Sequence, residues 1–488
     1  MMTRRQFTKS AAAFAATGGM LRENAKDERG NLRVGILSDI HVMRYGDKAA
    51  RMFDKALRHF RDAHVDAVMI TGDLTTTSML AEFEAVARVW NEVFPGDCLP
   101  DGSKVVKLFV SGNHDLDAWS KPGRKIGDAE KVKEQCMHFD TAEKWKRLFG
   151  EDYVPVSCKV VKGYHFVLFN WVSLLAWQSR NDVFFRQFGL KNDPHLAKAW
   201  FRRHGKELPK DRPFFFAQHR HPYGTCSSPY SVDQDRTTGD ILRKHPNCIA
   251  FSGHSHRSLL EERTIWQGEF TSVGCSALCG YAFTRGGREN GHCYDPAEKF
   301  NEMKCLDFLS CHQGMLMDVF GDRVVLERLD FAHDGVAKAK EDWVIPLGKN
   351  ASRPYTFAAR EEGTPAPVFA AGAKVVVREI AEGRNRCGEK IPQIEVSFPP
   401  VNGLDGGERA FDYRVSCVFA WDDVRNTVAE ERVFSPNALQ PSKYDVADVK
   451  CLFDRRKLPR GRTLRMAVRP VNEWCREGAP IYSEQFKL

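Results

Sequence analysis

The chain reads as an α/β protein followed by a smaller β-sandwich. Three observations predict this. Between residues 33 and 331, short apolar runs alternate with amphipathic helical stretches. Several of those runs end in Asp, Asn or His beside a glycine. From about residue 373 the helical spacing gives way to alternation with a period of two.

Taken in order, the first twenty residues read as an address rather than as fold. Arg4-Arg5 is followed by Phe7 and by a short apolar run, Ala11 to Ala16, which resembles a twin-arginine export signal. A run of that length is far short of the ~20 residues that span a bilayer. The segment 1–30 is therefore expected to be a signal peptide. The mature protein is expected to be exported, periplasmic or extracellular, with no transmembrane segment. The 488-residue chain carries 72 Lys+Arg against 64 Asp+Glu, a net charge of +8. That is mild for the size and gives no strong sign of a nucleic-acid partner. The oligomeric state is not legible. Fourteen cysteines allow disulfides in an exported protein, but there is no C-x-x-C pair to suggest a structural zinc site.

Val34-Gly35-Ile36-Leu37 reads as a buried strand. Residues 47–64 place Ala50, Phe53, Leu57 and Phe60 on one helical face. Ala67 to Ile70 is a second strand, residues 79–93 a second helix, and Val105 to Val110 a third strand. This βαβαβ rhythm implies a parallel sheet with ligands at the carboxyl ends of its strands. Residues 116–155 interrupt it with a polar insertion, followed by a hairpin around Lys162-Gly163. Phe214 to Phe216 and Ile249 to Phe251 are further strands, and a closing hairpin turns at Gly321-Asp322. Residues 342–372, rich in Pro, Ala and Gly, read as a linker or cover. Residues 373–488 read as a β-sandwich. Its late segment, Met466 to Trp474, weakly resembles a fibronectin type III strand.

Five short pieces carry the chemistry. They are Ser38-Asp39-Ile40-His41, Gly72-Asp73, Gly112-Asn113-His114-Asp115, His219-Arg220-His221-Pro222 and Gly253-His254-Ser255-His256. Carboxylate, amide and imidazole ligands together suit a pair of divalent cations of borderline hardness. Two adjacent cations are a common means of breaking phosphate esters. Singly each piece is weak; five in this order, each after an apolar run, are specific.

The order resembles the calcineurin-like metallophosphoesterases. The resemblance covers Asp39 to His256, roughly the first half of the chain. It implies a four-layer αββα sandwich over 31–335, which leaves the linker at 336–372 and the β-sandwich at 373–488 as read from composition and alternation. It also implies two metal sites. Asp39, His41, Asp73 and His256 would hold one cation. Asp73, Asn113, His254 and one histidine of the His219/His221 pair would hold the other, with Asp73 shared. His219 ends its strand and is the first choice; His221 would then face substrate or support a ligand, and Arg220 either touches phosphate or is solvated. His114 would protonate the leaving group or stabilise its charge. Asp115 either orients His114 or caps a turn. The expected reaction is hydrolysis of a phosphate mono- or diester by a hydroxide bridging Mn, Zn or Fe ions. Thr76 stands where purple acid phosphatases carry a tyrosine, which argues against an Fe(III)–tyrosinate pair. Two other readings remain at this stage. One is a cell-surface binding protein that uses the fold as scaffold; the other is a metal-dependent nuclease.

Overall fold

The computed structural model describes residues 30–43, 48–119, 141–170, 194–226, 235–284, 304–332, 335–384, 388–403, 408–421, 427–435 and 448–488. Residues 1–29, most of the segment expected to be a signal peptide, and the centre of the polar insertion, 120–140, lie outside the described residues.

In chain order the first part runs β1 (Leu32–Leu37), α1 (Lys48–Asp62), β2 (Ala67–Thr71), α2 (Leu80–Val93), β3 (Val106–Val110) and α3 (Thr141–Phe149). It continues with β4 (Val156–Val161), β5 (Tyr164–Phe169), α4 (Pro194–His204), β6 (Phe214–Ala217), α5 (Arg236–Leu242) and β7 (Cys248–Ser252). There follow β8 (Ile265–Gln267), β9 (Thr271–Gly274), β10 (Gly280–Thr284), β11 (Lys304–Cys311), β12 (Gln313–Val319), β13 (Arg323–Asp330) and β14 (Ala337–Pro346). Two six-stranded sheets result, ordered β14-β13-β12-β1-β2-β3 and β4-β5-β6-β7-β9-β8. β1, β2 and β3 are parallel, and so are β5, β6, β7 and β9.

The layers follow from which face each side chain takes. Val34, Ile36, Met69 and Leu108 meet Phe166, Phe215, Ile249 and Phe251 between the two sheets. On the outside of the first sheet, Leu37, Val68, Ile70 and Phe109 pack against Phe53, Leu57 and Phe60 of α1 and Phe83, Val86 and Trp90 of α2. On the outside of the second, Val167, Phe214 and Phe216 pack against Ala197 and Phe201 of α4 and Leu242 of α5. This is the αββα sandwich expected. Trp145 and Phe149 of α3 join the first outer core, so the polar insertion contributes to packing as well as covering the surface.

The linker differs from expectation. Residues 337–346 form β14, an edge strand paired antiparallel with β13, where the sequence reads as the start of a linker. Its inward residues Ala339, Trp343 and Ile345 are buried. Interleaved Lys338, Lys340, Glu341 and Asp342 and a register irregularity mask the alternation.

The C-terminal part contains β15 (Val376–Arg384), β16 (Lys390–Phe398), β17 (Asp412–Phe419), β18 (Thr427–Phe434), β19 (Val449–Asp454) and β20 (Thr463–Val471). β15-β16-β19 form one sheet, and β18-β17-β20 lie in another. Ile394, Val396, Phe398, Tyr413, Val415, Met466 and Val468 fill the core they share.

Among the described residues no helix is long and apolar enough to cross a membrane. Cys98, Cys158, Cys248, Cys275 and Cys417 are free thiols.

Candidate metal centre

Every one of the five motifs falls just past the carboxyl end of a parallel strand. Asp39 and His41 follow β1, Asp73 follows β2, and Asn113, His114 and Asp115 follow β3. His219 and His221 follow β6, and His254 and His256 follow β7. The first three come from one sheet and the last two from the other, so the cluster forms where the two sheets face each other.

The turns are held in sparsely populated backbone. Asp39, His41, Asp73, His254 and His256 have φ of 49°, 51°, 52°, 66° and 48°. Each such residue costs on the order of 1–3 kcal/mol, a strain that concentrates at functional sites. Two glycines make the close approach possible. A Cβ on Gly72, itself at φ 100°, would run into the His219 ring, and one on Gly253 would run into Ser38 and Asp39.

The side chains converge in two overlapping sets. In the first, His256 Nε2 lies 2.9 Å from Asp39 Oδ1. His41 Nε2 lies 3.3 Å from His256 Nε2, 3.8 Å from Asp39 Oδ1 and 3.6 Å from Asp73 Oδ2. In the second, His219 Nε2 lies 3.1 Å from Asp73 Oδ2, and the ligand atoms of Asp73, His219 and His254 lie within 4.8 Å of one another. Asp73 belongs to both sets. Asn113 Oδ1 is buried and accepts no hydrogen bond among the described residues. Imidazole nitrogens facing each other beside carboxylates, with a buried amide oxygen left over, are what a pair of cations would satisfy. The donor set therefore fits the two-metal expectation.

Neighbouring backbone fixes the ring orientations. His219 Nδ1 donates to the Thr71 carbonyl at 2.8 Å, which leaves Nε2 for the cluster. His221 is engaged at both nitrogens, by Ser252 Oγ and Ser255 Oγ at 2.6 Å each. Of this pair, then, it is His219 that turns a nitrogen into the cluster. Arg220 is half-buried, and its carbonyl accepts from Gln218 Nε2 at 2.6 Å.

His114 stands at the edge of the cluster, its ring 4.7 Å from that of His41. Its backbone N–H donates to Asp73 Oδ1 at 2.8 Å, and Nδ1 donates to the Thr76 carbonyl at 2.8 Å. The Thr76 carbonyl thus helps to orient the His114 ring. The Asp115 carboxylate is fully buried and accepts from Gly112 N, Leu74 N, Thr75 N and Thr75 Oγ1 at 2.9–3.2 Å. It ties the Asp73 loop to the Asn113 loop.

Electrostatics agree with this division. Burial would raise Asp39 and Asp73, yet His256 and His219 hold Asp39, and His219 and His41 hold Asp73, well below the usual carboxylate range. Burial and the neighbouring Asp73 charge push Asp115 up to about 6. Burial lowers His41 to about 4 and His221 to about 3. Burial also opposes a charge on His219, but Asp73 and Asp39 raise it to about 9.

Some contributors have no motif to announce them. The Thr71 and Thr76 carbonyls act through the backbone, so their side-chain identities carry no signal. Cys279 Sγ, outside all five motifs, lies 3.6 Å from His256 Nδ1, while Ser38, inside the first, donates from Oγ to Asp39 Oδ2 at 2.5 Å.

A buried Asp/His cluster that could hold metal ions, at the meeting of two sheets, is an arrangement that metal-dependent hydrolases use. Residues 32–258 match the family described as Calcineurin-like phosphoesterase. The chain thus carries a calcineurin-like phosphoesterase domain and falls among the hydrolases that act on phosphoric ester bonds. No curated protein matches the chain. Three solved structures show how far the likeness extends. A dimetal phosphatase from Danio rerio is 12% identical with a TM-score of 0.39, covering 65% of this chain and 100% of its own. GAP50, the anchor in the inner membrane complex of Plasmodium, is 12% identical with a TM-score of 0.36, covering 65% and 89%. The purple acid phosphatase PPD1 from yellow lupin (Lupinus luteus) seeds is 14% identical with a TM-score of 0.34, covering 64% and 53%.

Proposed function

We propose that this protein is an exported, dinuclear-metal-dependent hydrolase of a phosphate mono- or diester. The observation that carries the reading is Asp73. One of its carboxylate oxygens faces His41 Nε2 at 3.6 Å and His219 Nε2 at 3.1 Å, so a single residue joins two ligand sets. Asp39, His41, Asp73 and His256 would hold one divalent ion, and Asp73, Asn113, His219 and His254 the other. When bound, the ions supply a nucleophilic water at neutral pH and neutralise charge on the phosphoryl oxygens.

The protein residues do the rest. Asp39 and Asp73 bring two negative charges to the site, fewer than two dications carry, so the loaded site attracts an anionic ester. His114 donates its Nδ1 proton to the Thr76 carbonyl, so in the imidazolium form the second proton, on Nε2, is the one it passes to the leaving oxygen, returning the ring to its neutral state. Asp115 keeps the Asp73 and Asn113 loops in register. The export half of the proposal rests on Arg4-Arg5 and the short apolar run that follows. Changing both arginines to lysine should retain the precursor inside the cell.

The activity is tested by removing metal with a chelator, restoring Mn, Zn or Fe(II), and assaying a panel of phosphate mono- and diesters. Loss of turnover on chelation and recovery with a divalent ion are expected. Turnover that persists in thoroughly metal-free protein would refute the proposal.

A further inference from the structure

We infer that Cys279 is a positioning residue for His256. The inference rests on the two-metal reading of the site and adds a residue outside the five motifs.

The His256 ring is buried between two groups. Its Nε2 faces Asp39 Oδ1 at 2.9 Å and His41 Nε2 at 3.3 Å, on the cluster side. Its Nδ1 faces Cys279 Sγ at 3.6 Å, and ligand atoms of His41, His256 and Cys279 all lie within 4.8 Å of one another. A histidine can give Nε2 to a cation only if its remaining ring proton sits on Nδ1. That proton needs an acceptor, and the acceptor fixes both tautomer and ring plane. For His219 and His114 a backbone carbonyl fills this place. For His256 the atom in place is a sulfur.

Cys279 is itself anchored to the site. Its backbone N–H donates to the Asp39 carbonyl at 3.1 Å, and the preceding Leu278 N–H donates to the Ser38 carbonyl at 3.0 Å. The loop that carries the sulfur is therefore pinned to the loop that carries Asp39 and His41. Movement of one carries the other, which keeps Asp39, His256 and Cys279 in line. A soft, polarisable acceptor suits this position because it tolerates the longer N–H···S distance. The second independent sign of a ligand is Asn113 Oδ1, buried in the same site without a donor.

The consequence is selective. Losing the acceptor should weaken the ion held by Asp39, His41, Asp73 and His256, and leave the other nearly unchanged. Loss of a supporting partner of a metal-bound histidine typically lowers metal affinity roughly 10–100-fold.

The experiment titrates metal-stripped full-length protein with Co(II), followed by calorimetry and by absorption spectroscopy, in wild type, Cys279→Ala and Cys279→Ser. Wild type should bind two ions. Cys279→Ala should bind one as wild type does and the other about 10–100-fold more weakly. Cys279→Ser should recover most of that loss, because a hydroxyl oxygen also accepts. A variant harmed only in folding would weaken both ions and would not separate Ser from Ala. Equal affinities in wild type and Cys279→Ala would overturn the inference while leaving the two-metal reading intact. A sulfur-to-cobalt charge-transfer band in wild type that is absent from Cys279→Ala would also overturn it, by showing that the sulfur binds the ion directly. Wild type that binds no ion would overturn the two-metal reading and this inference with it.

Discussion

Among the described residues, the buried carboxylates of the Glu262 cluster and of the candidate metal centre are resolved in opposite ways. Glu262, a few residues past the His256 loop, is surrounded by donors. Arg328 and Lys340 reach its Oε1 at 2.9 and 2.8 Å, Trp343 Nε1 reaches Oε2 at 3.1 Å, and Arg360 completes the set. Burial would raise Glu262, but the three cations hold it well below the usual range. At the metal centre, by contrast, Asp39 and Asp73 face imidazoles whose own nitrogens crowd one another at 3.3 Å. Their backbone is held at positive φ, whereas Glu262 is not among the positive-φ residues. The first cluster is complete with protein alone. The second is arranged at a cost in strain, and its facing nitrogens and buried Asn113 oxygen fit the cations proposed above.

The two clusters also differ in what they join. The Glu262 backbone N–H donates to Glu473 Oε2 of the C-terminal part at 2.8 Å, and Arg360 comes from the segment between the two parts. The Glu262 cluster is thus a junction that fixes the second part against the loop leading out of the metal centre. The metal centre joins the two sheets of the first part.

If the clusters do different work, mutations should separate turnover from stability. The largest effect on turnover outside the metal ligands is expected at His114. His114→Ala should lower kcat by roughly 10²–10⁴-fold with metal content near normal. The loss should shrink for nitrophenyl esters, whose leaving group needs no proton. Equal losses on good and poor leaving groups in steady-state assays would remove the proton-donor role.

At the junction the order reverses. Glu262→Ala leaves Arg328, buried beneath Trp343, without its counter-charge, and breaking a buried pair this way costs roughly 3–5 kcal/mol. Chemical denaturation should show that loss, while bound metal per folded molecule stays at the wild-type level. A variant of normal stability that fails to bind metal would erase the contrast between the clusters.

A smaller effect concerns pH. Burial, with the Glu262 and Glu261 charges adding to it, pushes Glu473 up to about 7 from an ordinary 4.5. Between those values the folded protein holds a proton that the unfolded chain has released. The contribution of Glu473 to stability is therefore present below about 4.5 and falls as pH rises to about 7. Glu473→Gln should flatten this part of the melting-temperature profile. An unchanged slope would mean that Glu473 titrates normally in the fold.

Most of the candidate centre is legible in the sequence because its residues follow strands of recognisable composition. Asp39, Asp73, Asn113, His219 and His254 all sit just past the end of a strand in the fold, as the sequence places them. Which of His219 and His221 turns a nitrogen into the cluster is not local information, since it depends on Ser252 and Ser255, more than thirty residues away. The role of Asp115 was open for a similar reason, because its partners Leu74 and Thr75 come from another strand end. The edge strand β14 was hidden by the Lys, Glu and Asp on its outer face, and the Glu262 junction by its dependence on three separate stretches of chain. Local pattern reveals what a strand end carries; pairings between distant segments need the fold.

The central claim is that Asp73 is shared by two metal ions. It is tested most directly by counting metal per chain, by elemental analysis, in purified active protein and in Asp73→Asn prepared alongside it. Two ions are expected in the wild type and a loss at both sites in the variant, since both ligand sets lose their common charge. One ion or none in active wild-type protein, or two ions and normal turnover in Asp73→Asn, would contradict it.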